Sequence, residues 1–169
     1  PPKHSFEVVQ RALDLARMMS GKSANYLKSG ELAKVALFYS GHGAESDAKA
    51  IFEEALRAAE SGATEEGSGG YRQISEALVR DPKGSQDWMV MLVAKHLQRQ
   101  GKTANSAFAY RDLAQVAVRH TKSQMASQLI ESGISAAKAI NQDSMRKSAL
   151  EGLGNVAVGA GYTKGLPEN

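Results

Sequence analysis

The chain has 169 residues, 42% hydrophobic and 23% charged, which is the composition of a folded chain and excludes bulk disorder. It has no cysteine, which excludes a disulfide framework, a thiolate zinc site and a cysteine nucleophile. The net charge is +3 and unevenly placed: residues 1–84 carry eleven basic and twelve acidic side chains, residues 85–169 ten and six. Aromatic residues are only 6%, so the core must be built from Ala, Leu, Val and Ile, which suits closely packed helices better than a β-sandwich. No apolar run approaches the ~20 residues of a membrane span, and neither a signal-peptide pattern nor a glycosylation sequon is present. The expected location is cytoplasmic. The start at Pro1-Pro2-Lys3, with no initiator methionine, is the start expected of a piece of a longer protein.

Apolar residues recur at helical spacing along nearly the whole chain. Phe6, Val9, Leu13 and Ala16 form one stripe, widened by Ala12, Leu15 and Met19, and Gly21 ends that helix as a left-handed C-cap. Ser23 offers its hydroxyl as N-cap to a second helix running to about Gly41, with Leu27, Leu32, Val35, Ala36 and Tyr39 inward. Gly30 weakens the middle of that helix. A third spans about residues 44–61 on Ala48, Ile51, Phe52, Ala55 and Leu56. Four glycines between Gly62 and Gly70 predict a flexible loop. A short helix from Tyr71 to Arg80 follows, closed by Asp81-Pro82. Further helices are expected near 85–100, 103–120, 122–139 and 143–159, then a frayed tail over 161–169. No alternating, β-branched run reads as a strand. The expected fold is all-α, with about eight helices and short connections.

Tests for chemistry return little. Gly21-Lys22-Ser23 and Gly101-Lys102-Thr103 look like the end of a phosphate-binding loop, but the glycine needed five residues earlier is Ala16 or His96, inside a helix. Helix capping explains both triplets: glycine ends one helix and Ser or Thr starts the next. The histidines His4, His42, His96 and His120 form no i, i+4 pair. There is no Gly-x-Ser-x-Gly nucleophile elbow. Glu53-Glu54 and Glu65-Glu66 are adjacent pairs whose side chains diverge. Trp88, the single tryptophan, and the six methionines read as helix packing. No catalytic residue, metal or cofactor is therefore expected, and the chain reads as a non-enzyme.

The chain repeats itself internally. Gly21-Lys22-Ser23-Ala24-Asn25 recurs as Gly101-Lys102-Thr103-Ala104-Asn105, and Leu32-Ala33-Lys34-Val35-Ala36-Leu37 as Leu113-Ala114-Gln115-Val116-Ala117-Val118. The stretch Ala48 to Ala59 matches Ala126 to Ala137. These offsets of 80, 81 and 78 keep their order. The expected organisation is two four-helix units, residues 1–84 and 85–160, packed as one domain with a tail at 161–169. A helical hairpin of ~40 residues cannot bury its apolar face alone, so stacked hairpins would share one core.

Leu32-x₂-Val35-Ala36-x₂-Tyr39, followed by Ala48-x₃-Phe52 and Ala55-Leu56 with Gly43 in the turn, resembles the tetratricopeptide repeat (TPR) family. Residues 29–60 carry the resemblance well and the rest loosely. In the second copy Leu113, Val116, Ala117, Ala126 and Ile130 fit, but His120 replaces the tyrosine, Gly133 an alanine, and the turn is read as three residues shorter. A competing register starts at Trp88 and continues to Ala104-x₃-Phe108, exchanging the helix roles. A HEAT-like or other TPR-like solenoid is a further alternative. The resemblance implies a right-handed helical-repeat solenoid whose first helices line a concave groove. It would place Lys34 and Leu37 there, with Arg111, Gln115 and Val118 in the second copy, and a protein or peptide partner along them. Two other readings stay open. One is nucleic-acid or anionic-surface binding through Lys95, Arg99, Lys102, Arg111, Arg119 and Lys122. The other is a scaffold or targeting domain within a longer protein.

Overall fold

The computed structural model describes residues 3–62 and 69–161, and the side chains in those ranges except at 3, 4, 22 and 23. Among the described residues there are eight helices and no strand. They are α1 (Lys3–Met18), α2 (Lys22–Gly41), α3 (Glu45–Ser61), α4 (Gly69–Arg80), α5 (Asp87–Leu97), α6 (Ala104–Arg119), α7 (Ser123–Lys138) and α8 (Asp143–Gly159). The centre of the glycine-rich loop and the tail beyond Gly161 lie outside the described residues, as does the His4 side chain; Ser23 is not the N-cap expected of it, because α2 already begins at Lys22 behind Gly21.

The even-numbered helices form a row, each touching the next: α2 on α4, α4 on α6, α6 on α8. The odd-numbered helices lie against this row, α1 on α2, α3 on α2 and α4, α5 on α4 and α6, and α7 on α6 and α8. The most extensive pairings are α2 with α3 and α6 with α7, whereas α5 leans lightly on its neighbours. One apolar cluster runs from Leu13 to Ala157 without a break at residues 84–85. Its largest fully buried side chains are Tyr71, Phe52, Leu32 and Leu37, and it also holds many alanines, among them Ala36, Ala55, Ala117 and Ala126. Small side chains at the crossings let helix axes approach, so dispersion contacts accumulate despite few large residues. Trp88 ties α5 to α3 by an edge-on contact with Phe52, ring centroids 5.4 Å apart.

Four local expectations change. Gly30 does not break α2, which is continuous through it; a methyl there would lie 3.1 Å from Cβ of Gln73, so the glycine serves the α2–α4 approach. Gly69 and Gly70 belong to α4 and not to a loop, and Gly70 sits where a methyl would come within 2.6 Å of the Ala59 Cα. Gly21 has φ +93° but precedes α2 as its N-cap, with an extended ψ of 157°, so it is not a left-handed C-cap. The three-residue difference between the copies lies in the helix and not in the turn. Residues 42–44 and 120–122 are turns of equal length, while α2 runs on to Gly41 and α6 stops at Arg119. Both turns close alike, with Ala44 N–H bonded to the Tyr39 carbonyl and Lys122 N–H to that of Ala117, around a positive-φ residue. That residue is Gly43 in one and Thr121 in the other. The start of α6 matches its expectation: Thr103 Oγ1 accepts from Ser106 N–H and Ser106 Oγ accepts from Thr103 N–H, a closed capping box.

Candidate functional site

The face of the row between α6 and α8 opens into a cleft of about 490 Å³. Helix α6 supplies Arg111, Gln115, Val118 and Arg119, which helical spacing places on one side. Helix α8 supplies Gly152, Asn155, Val156 and Gly159. The two glycines lower the α8 wall. A methyl on Gly152 would stand 2.9 Å from Cδ of Arg111, so the absent side chain is what lets the arginine lie across α8.

Asp112 fixes that arginine. Its Oδ1 accepts from Arg111 Nε at 2.8 Å and from Nη2 at 2.6 Å. The Asp112 side chain is buried and its Oδ2 has no hydrogen-bond partner. Burial pushes the carboxyl above its usual range, and the Arg111 guanidinium only partly offsets this. Arg111 also lies over the Phe108 ring, 5.4 Å from its centroid, and Arg72 of α4 stands 4.9 Å from the same centroid. Arg72 is held in turn by Glu76 at 3.1 Å. Further along α6, Arg119 Nη1 donates to the Val79 carbonyl near the end of α4. The groups facing the cleft are thus two guanidiniums, two amides and two valines, with no carboxylate among the lining side chains.

Of the five residues expected in a groove, three, Arg111, Gln115 and Val118, line this cleft together. Lys34 is exposed on α2 and pairs with Glu31 at 2.7 Å. Leu37 is a correction: it is 1% exposed, part of the core, and offers nothing to a partner. It belongs to the apolar cluster, and the backbone at Gly84 packs against its carbonyl. Of the six basic residues of the nucleic-acid reading, Arg111 and Arg119 line this cleft. Lys122 bonds Asp87 at 3.1 Å, beside the 2.8 Å contact of His120 with the same carboxylate. Lys95 projects from α5, Arg99 follows it, and Lys102 borders a different pocket between the α5–α6 connection and α7. Among the described residues no group of three or more histidine or acidic side chains is placed to hold a metal ion, and no helix is long and apolar enough to cross a membrane.

Sequence reasoning missed Asp112, Phe108, Arg72 and Gly152 as parts of the site. The α2–α6 alignment places Gly30 against Arg111, an exchange of the smallest residue for one of the largest, but it marks none of these four. Compared with known proteins, the chain matches no family model, no curated protein and no solved structure.

Proposed function

We propose that the chain is a non-enzymatic protein-interaction module, a TPR-like α-solenoid that binds a peptide or partner segment along the face of its even-numbered helices. The observation that supports this reading is the α6–α8 cleft, where Arg111, Gln115 and Val118 meet an α8 wall lowered by Gly152. The alternating packing agrees with it, because stacked hairpins leave one helix of each pair free to face a ligand. A surface of valines with guanidinium and amide donors suits a peptide, which offers both apolar side chains and carbonyl or carboxylate acceptors.

The test fills the cleft without disturbing the core. Gly152→Gln adds a side chain at the α8 wall, and Gln115→Glu adds a charge inside. Each is expected to abolish capture of the partner from native lysate while helicity and melting temperature stay near those of the parent chain. Retention of the same partner by both folded variants would refute this groove.

A further inference from the structure

We infer that the α6–α8 cleft takes an extended acidic peptide whose two carboxylate side chains lie four residues apart, one on Arg111 and the other on Arg119; this rests on the groove reading above and names its ligand. Arg111, Gln115 and Arg119 stand at successive turns on one side of α6, so the two guanidiniums attach about 12 Å apart with an amide midway. Four residues of extended chain span roughly 13 Å, and their first, third and fifth side chains share a face. The match places a carboxylate on each arginine and a small polar side chain on Gln115. The alternating side chains point away from α6, towards the wall of Gly152, Val156 and Gly159.

Charge favours this occupant: two guanidiniums and two amides line the cleft, with no carboxylate among the lining side chains. Both arginines keep donors for the ligand: Asp112 engages Nε and Nη2 of Arg111 but not Nη1, and the Val79 carbonyl engages only Nη1 of Arg119. Asp112 is a positioning residue here. It holds the Arg111 fork by two hydrogen bonds to one oxygen, on a carboxylate that is itself buried. Phosphates would also engage the two guanidiniums, so a nucleic acid is the competing occupant that the DNA control below separates.

The experiment measures fluorescence anisotropy of the labelled peptide Gly-Ser-Glu-Val-Ser-Val-Glu-Ser-Gly with the full chain. Its controls are the same peptide with both Glu replaced by Gln, one with the two Glu two residues apart, and a twelve-nucleotide single-stranded DNA. The expected result is at least tenfold weaker binding of the Gln peptide and about fivefold weaker binding of the close-spaced one. Arg111→Ala and Arg119→Ala should each lose fivefold or more on the acidic probe and nothing on the Gln peptide. Arg119→Glu should recover binding when the second Glu of the probe is changed to Lys, a rescue that a merely structural arginine would not give. Asp112→Asn should weaken only the acidic probe. Equal binding of the Gln and Glu peptides, both lost in Gly152→Gln, would overturn the acidic ligand and leave the groove reading standing. Preference for the DNA, or no binding of any probe at millimolar protein, would also overturn it; the groove reading would then still be judged by partner capture with the filled-cleft variants.

Discussion

The two helix crossings α2–α4 and α6–α8 are built on one plan and filled oppositely. At the first, Gly30 of α2 makes room for Gln73 of α4, whose amide reaches the Tyr26 hydroxyl at 2.8 Å. At the second, Arg111 stands at the position of Gly30, and Gly152 of α8 makes room for it. Each crossing thus has one large and one absent side chain, but the large one changes helix. Gln73 anchors inward and bonds within the first crossing. Arg111 lies along the outer edge of the second, tied to Asp112 and Phe108, and space opens beside it. A repeat can keep its packing and still move its open surface by exchanging partners across one contact.

The comparison breaks most sharply at the glycines buried between layers. Gly70→Ala would push a methyl to 2.6 Å from the Ala59 Cα, a backbone atom that cannot rotate away. The expected loss is about 2 kcal/mol, overpacking strain less the better helix propensity of alanine. In the second half Gly133→Ala meets Cδ2 of Leu153 at 2.6 Å, the end of a buried side chain and not a backbone atom. There the change should stay within about 1 kcal/mol of zero. Urea denaturation of both variants checks the ranking, and equal losses would show that backbone and side-chain obstacles are not distinguished in this fold.

A smaller effect separates the two turns. Gly43 and Thr121 both have positive φ, at 78° and 57°, but threonine is β-branched and strained there. Thr121→Gly should therefore raise stability by up to about 1 kcal/mol, and Gly43→Thr should lower it by a similar amount. Thermal melts of the two variants should shift in opposite directions.

What was legible in the sequence follows from which forces are local. Helix positions emerged from apolar spacing, because each stripe reports its own helix, and Thr103 announced its cap through a contact three residues away. Gly30, Gly69 and Gly70 were misread because their role lies in the neighbouring helix: in isolation a glycine signals a break, while against Gln73 or Ala59 it signals contact. Leu37 was misplaced because the family resemblance assigned it to the groove by its position on the helix, whereas its burial depends on neighbours distant in sequence. The pairing of Arg111 with Asp112 was written in adjacent residues. What made it part of a site is α8, some forty residues onward, and a missing side chain there leaves no periodic trace.

The smallest expected effect concerns pH and the second half alone. Asp87, at the start of α5, receives Nδ1 of His120 and Nζ of Lys122 from the α6–α7 turn. Partial burial pushes its carboxyl up, but the two bonds outweigh this and hold it below the usual carboxylate range. A depressed native value means that the unfolded chain binds the proton more readily, so the pair stabilises the fold above the unfolded value near ~3.9 and is lost as pH falls through the native one. The corresponding turn of the first half bonds differently: Nδ1 of His42 meets the Phe38 carbonyl, and its ring stacks on Phe38. Asp87→Asn should cost less than about 1 kcal/mol at pH 7, because the pair is partly solvent-exposed. The cost should fade as pH drops below 4, whereas His42→Gln should show no comparable loss between pH 7 and pH 3. Denaturation of both variants across that range decides it. A cost for Asp87→Asn that persists at pH 3 would mean the residue acts through geometry rather than charge.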